Sequence, residues 1–204
     1  MDKLDFKKLM KPYWQPAAGV FSLIEVPKFR YVMIDGVGDP NASEDYQRAV
    51  QWLYGVSYAL KFMSKADLAR DYGVAPLEGL WWARDMKHFA TLGKDQWHWT
   101  AMIMQPDWIG PELFERAVAK TRGKLGAPPA SLRLDDLEEG LSVQIMHVGP
   151  YDDEAATIAR LHSEYLPANG LVETGHHHEI YLGDPRRTAP DKLRTVIRQP
   201  VRRA

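Results

Sequence analysis

The chain has no cysteine among its 204 residues, which excludes disulfide staples, thiolate metal sites and a cysteine nucleophile. It has almost no net charge: 26 basic against 27 acidic side chains leave −1. The two signs are mixed along the chain, so there is no electrostatic footprint for a phosphate backbone, and direct nucleic-acid binding is not expected. No apolar run approaches the length of a membrane span. The start, Met1-Asp2-Lys3-Leu4-Asp5, lacks the apolar core of a signal peptide. The protein is therefore expected in the cytoplasm, with no membrane partner, and the short basic stretch Arg198 to Arg203 reads as a solvated terminus.

What the chain does have is hydrophobic mass and aromatic rings. At 45% hydrophobic residues it can bury a full core, and seven tryptophans point to an aromatic-rich interior or a pocket for a flat ligand. An offset of 111 positions places Val32-x-Ile34-x-x-Val37-Gly38 on Val143-x-Ile145-x-x-Val148-Gly149, each ahead of an acidic turn and a helical segment. In the first copy Asn41 is placed to cap a helix with Glu44 at the third position. Tyr46, Val50, Leu53, Ser57 and Leu60 follow at helical spacing. In the second, Asp152 or Asp153 caps a helix carrying Ile158 and Leu161 that stops near Pro167 or Gly170.

Strand-like stretches follow each helix: Leu77 to Ala83 and Trp97 to Met104, then His177 to Leu182 and Leu193 to Pro200. The expected fold is α+β. Two tandem strand-helix-strand-strand repeats, about 27–109 and 110–204, form one antiparallel sheet with helices on one face and a ligand groove on the other. Residues 1–26 read as an N-terminal arm. Pro111 to Lys124 reads as a connecting helix and Ala127-Pro128-Pro129 as a stiff linker.

The stretch His178-Glu179-Ile180-Tyr181-Leu182 carries the chemistry. Side chains alternate along a strand, so Ile180 and Leu182 enter the core while Glu179 and Tyr181 share the other face. A carboxylate beside a phenol can hold a cation or act on water, and burial or a nearby donor decides the charge of the acid. Glu78 is the rival acid, at a comparable place in the first copy. Trp81, Trp82, Trp97 and Trp99 fall on two successive strands, where flat ligands stack and cations gain from the ring quadrupole. Tyr54 and Tyr58 on the first helix read mainly as structural. His147 reads as a polar groove residue or a hydrogen-bonded strand-end histidine.

His176-His177-His178 invites a metal reading, but His177 faces away from its neighbours on a strand and nothing completes a tetrahedral set. No metal and no cofactor are expected. Gly36-Val37-Gly38 lacks the third glycine of a dinucleotide fingerprint, with Asn41 in its place.

Four strings in order, Met33 to Pro40, Pro76 to Trp82, His147 to Glu154, and Glu179-x-Tyr181 through Asp184-Pro185, Pro190-x-Lys192-Leu193 and Thr195-x-Ile197, resemble the GyrI-like small-molecule-binding family. The resemblance covers nearly the whole chain after Val26. It implies a groove for small hydrophobic or cationic ligands, in which Glu179 meets the ligand and Tyr181 lines the wall. Many members of the family are ligand domains of AraC- or MerR-type regulators. Only about 27 residues precede the first repeat here, too few for a helix-turn-helix pair with its supports, so a stand-alone ligand module is expected. Pro76 to Trp82 together with Trp97-x-Trp99-Thr100 is similar to the branch that hydrolyses cyclopropanoid cyclopentenones. That branch implies Glu179 and Tyr181 as the groups that position and polarise water. A drug-sequestering or sensor protein, or a gyrase-inhibiting partner, are the alternatives the resemblance leaves.

Overall fold

The structure is a computed structural model that describes residues 3–83 and 96–204. In chain order its elements are β1 (Lys3–Leu4), α1 (Phe6–Leu9), α2 (Lys11–Trp14), β2 (Ser22–Val26), β3 (Phe29–Val37), α3 (Glu44–Asp67), β4 (Asp71–Tyr72), β5 (Leu77–Trp82) and β6 (His98–Gln105). There follow α4 (Pro111–Leu125), β7 (Arg133–Leu137), β8 (Gly140–Val148), α5 (Glu154–Arg160), α6 (Leu166–Ala168), β9 (Leu171–Glu173), β10 (His177–Tyr181) and β11 (Arg194–Arg203). A π-helical turn, Leu161–Tyr165, joins α5 to α6.

The start of α3 differs from expectation by two residues. Ser43, not Asn41, caps α3: its Oγ accepts from the Tyr46 amide at 3.2 Å, and Glu44 and Asp45 in the first turn suit the positive end of the helix dipole. Asn41 instead lies in a turn in which its amide donates to Asp39 Oδ1. Asp153 occupies the cap position of α5, but its side chain makes no capping bond, and a 3-10 turn, Tyr151–Asp153, leads in.

One antiparallel sheet organises the molecule, in the order β2-β8-β11-β10-β5-β6-β3-β7, with β9 beside the far end of β11. The order is symmetric: β8-β11-β10 meets β5-β6-β3 at the β10–β5 pair. The strand ahead of each half is exchanged, β2 pairing with β8 and β7 with β3. Residues directly opposite one another share a face. Ile180 stands opposite Glu78, which stands opposite Met102, itself opposite Met33. Glu179 stands opposite Gly79, then Ala101, then Ile34.

Both helical layers lie on the Glu179 face. Over β3 and β6, Tyr46 of α3 packs edge-on to Trp99 at 5.0 Å and Ser57 Oγ accepts from the Gln105 amide at 3.0 Å. Over β8 and β11, Leu161 and Leu166 cluster with Val143 and Val201. A helix about 10 Å across covers two strands spaced about 4.8 Å apart, so two helices over six strands leave the central pair bare. The groove therefore opens above β10 and β5 on the helical face. The repeat pattern predicts it on the opposite face, but the N-terminal segment covers part of that face: the Tyr13 and Pro12 carbonyls accept from Arg198 and Gln144, and the Tyr13 ring packs edge-on against Phe29. Among the described residues no helix is long and apolar enough to cross a membrane.

Candidate active site

A cleft runs between α3 and α5 over the bare strands, part of a connected space of about 3010 Å³ that also reaches the N-terminal segment at Phe6, Trp14 and Ala18. Tyr46, Tyr54 and Tyr58 of α3 form one wall. Tyr151, Glu154 and Ile158 form the other, and Trp81, Trp97, Glu179 and Tyr181 lie between them. The floor is ordered by hydrogen bonds in series. Trp81 Nε1 donates to the Tyr181 hydroxyl at 3.0 Å, and that hydroxyl donates to Glu179 Oε2 at 2.7 Å. His177 Nε2 meets the other carboxylate oxygen at 3.1 Å, so each oxygen of Glu179 is held by one side chain.

Local sequence makes this arrangement possible. His177, Glu179 and Tyr181 alternate along β10 and so share a face. Gly79 leaves room for the Trp81 indole, since a Cβ there would stand 2.8 Å from Trp81 Nε1. Gly36 plays the same part for Trp99, whose ring would collide with any side chain at that position. Tyr46 then closes over both indoles, at 5.9 Å from Trp81 and 5.0 Å from Trp99, and Tyr151 stands edge-on to Tyr181 at 5.6 Å.

The electrostatics are asymmetric. Burial pushes the Glu179 carboxyl up, but the His177 hydrogen bond and charge, with the Tyr181 hydroxyl, hold it below the ordinary carboxylate value. Burial and the neighbouring Glu179 charge push the Tyr181 phenol far up, so it is a neutral donor. Glu154, only 4% exposed, is pushed up to about 9, first by burial and then by the Glu179 charge, with the Thr195 hydroxyl opposing. Tyr151 is pushed up to about 12, by burial and by Glu154. Two carboxyl groups thus share one low-dielectric site, with Glu179 ionised and Glu154 protonated at neutral pH.

Of the residues singled out from sequence, Glu179, Tyr181, Trp81, Trp97 and Tyr54 line the cleft. Trp99 is fully buried beneath Tyr46. Trp82 points to the opposite face, where it stacks on His176 at 4.2 Å and on His98 at 5.8 Å. His147 Nε2 donates to the Pro150 carbonyl, 3.1 Å away, and is a strand-end residue outside the cleft lining.

Glu78 is also on the opposite face, with no solvent exposure, so it does not act as a second acid in the cleft. There His178 bridges Glu78 at 3.0 Å and Glu139 at 3.0 Å, and Arg198 bonds Glu139 at 2.9 Å. Burial would raise Glu139, but His178 and Arg198 bring it down to about 2. Burial would lower His178, but the two glutamates bring it up to about 9. Arg198, read from sequence as part of a solvated terminus, is 1% exposed within this cluster.

Three residues of the site escaped the sequence reading: Glu154, Tyr46 and Tyr151. A fourth, His177, drew attention only as a metal ligand. The pattern His177-x-Glu179-x-Tyr181 already contained the signal for His177, since all three must point the same way.

Similarity to known proteins agrees with this fold. A conserved protein from Listeria innocua of solved structure is 39% identical over 98% of this chain and 100% of its own, with a TM-score of 0.87. A hydrolase from Listeria innocua is 38% identical over the same shares, with a TM-score of 0.83. The EcmrR C-terminal domain shares the fold at 12% identity, with a TM-score of 0.58 over 91% of this chain and 98% of its own. Among curated protein sequences no relative matches. An aromatic cleft with an acid at its floor is what a receptor for small organic molecules requires, and residues 20–202 match the GyrI-like small molecule binding domain. The chain belongs to that family.

Proposed function

We propose that this protein takes flat hydrophobic or cationic xenobiotics into the cleft and hydrolyses strained electrophiles of the cyclopropanoid cyclopentenone type. The observation that carries the reading is the Glu179 carboxylate, buried yet kept ionised by His177 and Tyr181 at the floor of an aromatic cleft. A carboxylate in that state is a base placed where a flat ring would lie, and the 38% identical hydrolase of Listeria innocua supports a hydrolytic role. The sheet order supports reading the chain as two strand-helix-strand-strand units that meet at β10 and β5 and enclose the site between their helices.

In the proposed reaction the ring of the toxin lies among Trp81, Tyr46 and Trp97. Glu179 takes a proton from water as the water oxygen bonds to the cyclopropane methylene. The breaking carbon–carbon bond sends its electron pair through the conjugated system to the carbonyl oxygen. Tyr181 keeps the carboxylate in register, and Trp81 keeps Tyr181 in register. Glu179→Gln should lower turnover about 10²–10⁴-fold, the usual share of a general base, while affinity for a neutral flat aromatic stays unchanged. Tyr181→Phe should cause a smaller loss. Turnover equal to wild type in both variants would remove the pair from the mechanism. Binding of the toxin without turnover in the wild type would make the protein a sequestering module.

A further inference from the structure

Glu154 has no role in the reaction just described, although it is the second acid of the cleft. It is the first residue of α5, lines the cleft, and is 4% exposed. Acids at helix starts are ordinarily solvated, where the dipole favours their charge. This one is turned inward against Glu179 and the Thr195 hydroxyl, and its Oε1 has no hydrogen-bond partner. The groups facing it are Glu179 on β10, Thr195 on β11 and Asp152 in the preceding turn, with Tyr181 and Tyr151 beside them. The donors at His177 and Tyr181 are spent on Glu179. An ionised Glu154 would thus be a buried charge beside a second carboxylate, with one oxygen unpaired. A protonated Glu154 has a proton to give, to Glu179 at rest or to a ligand that comes between them.

The reaction also needs a donor. The carbonyl oxygen gains the electron pair of the broken ring bond, and the Tyr181 proton already lies on Glu179. We propose that Glu154 is the general acid of this site, giving its proton to the carbonyl oxygen of the bound electrophile while Glu179 receives one from water. This rests on the hydrolytic reading above.

The step balances. The water oxygen bonds to the methylene and the ring carbon–carbon bond breaks. One water proton passes to Glu179, and the Glu154 proton passes to the former carbonyl oxygen. The pair is then inverted, with Glu154 ionised and Glu179 protonated. Once the product has left, transfer of one proton between the two carboxyls, direct or through water, restores the resting state, and the net change is addition of one water. An acid–base pair set apart by environment, one member with donors and the other without, is the arrangement such a reaction needs.

The test compares wild type, Glu154→Gln and Glu154→Asp with a cyclopropanoid cyclopentenone across pH, beside the infrared carboxylic-acid band of each protein at neutral pH. The wild type should lose kcat/KM as pH rises through about 9, where Glu154 ionises. Glu154→Gln should lose about 10²-fold or more in kcat at neutral pH together with that alkaline limb. Its infrared spectrum should lack one acid band that Glu179→Gln retains. Glu154→Asp, one methylene shorter, should keep the limb and part of the rate. A Glu154→Gln protein that folds, binds a neutral flat aromatic as the wild type does, and keeps both rate and limb would overturn the inference alone. A wild type with no turnover at all would overturn the hydrolytic reading, and the general acid with it. The band would then show only whether Glu154 is the protonated partner.

Discussion

His177 and His178 are neighbours on one strand, yet each belongs to a different acid cluster on a different face of the sheet. On the covered face, His178 and Arg198 stand against Glu78 and Glu139, two cations to two anions, all without meaningful exposure. On the cleft face, His177 and Tyr181 serve Glu179, and Glu154 is left without a counter-charge. The first cluster is balanced in charge and shut off from solvent, although Glu78 Oε1 and Arg198 Nε have no hydrogen-bond partner, and it ties the N-terminal segment to the sheet through the Tyr13 carbonyl. The second is unbalanced, opens on a cavity and carries a spare proton. Balance is what a buried network needs to be tolerated, whereas imbalance is retained where a ligand or a reaction completes the set.

Breaking the balanced cluster should cost stability most. Glu139→Ala leaves His178 and Arg198 buried with a missing partner and should destabilise the fold by about 3–5 kcal/mol, read as a loss in denaturant midpoint. Turnover per folded molecule should change little. If the fold tolerates this change as easily as a surface substitution, the cluster is not structural.

The pH dependence sharpens the contrast. Glu139, held down to about 2, contributes stability that is present above its ordinary value of 4.5 and lost as pH falls towards 2. His178, held up to about 9, contributes stability that is full below 6.5 and lost as pH rises through 9. Glu154 works against the fold: the native state binds its proton between 4.5 and about 9 while the unfolded chain does not, so stability falls as pH rises across that window. Glu154→Gln should therefore melt higher than wild type at pH 8 and little differently at pH 4. A variant less stable than wild type at pH 8 would contradict a protonated Glu154.

The aromatic pair Trp81 and Trp82 gives the smallest effect. Trp81→Ala should weaken binding of a flat dye by about 0.5–1.5 kcal/mol, and Trp82→Ala, on the other face, should leave it unchanged. Equal losses would show that the dye does not sit in the cleft.

Much of this was legible in the sequence. Alternation alone put Glu179 with Tyr181, and the hydrophobic spacing gave α3 and the four strands that follow the two long helical segments. The face of Glu78 is not legible because Leu77-Glu78-Gly79-Leu80 lacks a clean alternation. Only its register opposite Ile180 shows that it faces away from Glu179. Trp81 and Trp82 are adjacent and so must diverge. Glu154 was hidden in the run Asp152-Asp153-Glu154, where an acidic helix start has an ordinary electrostatic explanation. Its inward turn depends on α5 packing over β11, a contact between segments some forty residues apart. The face of the groove is not legible in the sequence because the width of two helices against six strands is a property of the assembled sheet.

The most direct measurement is incubation of the protein at catalytic concentration with a cyclopropanoid cyclopentenone in ¹⁸O-labelled water, following the product by mass beside Glu179→Gln. The account predicts many turnovers, one labelled oxygen in the product, and loss of both in the variant. Labelled product formed equally fast by Glu179→Gln, or none formed by the wild type, would contradict it.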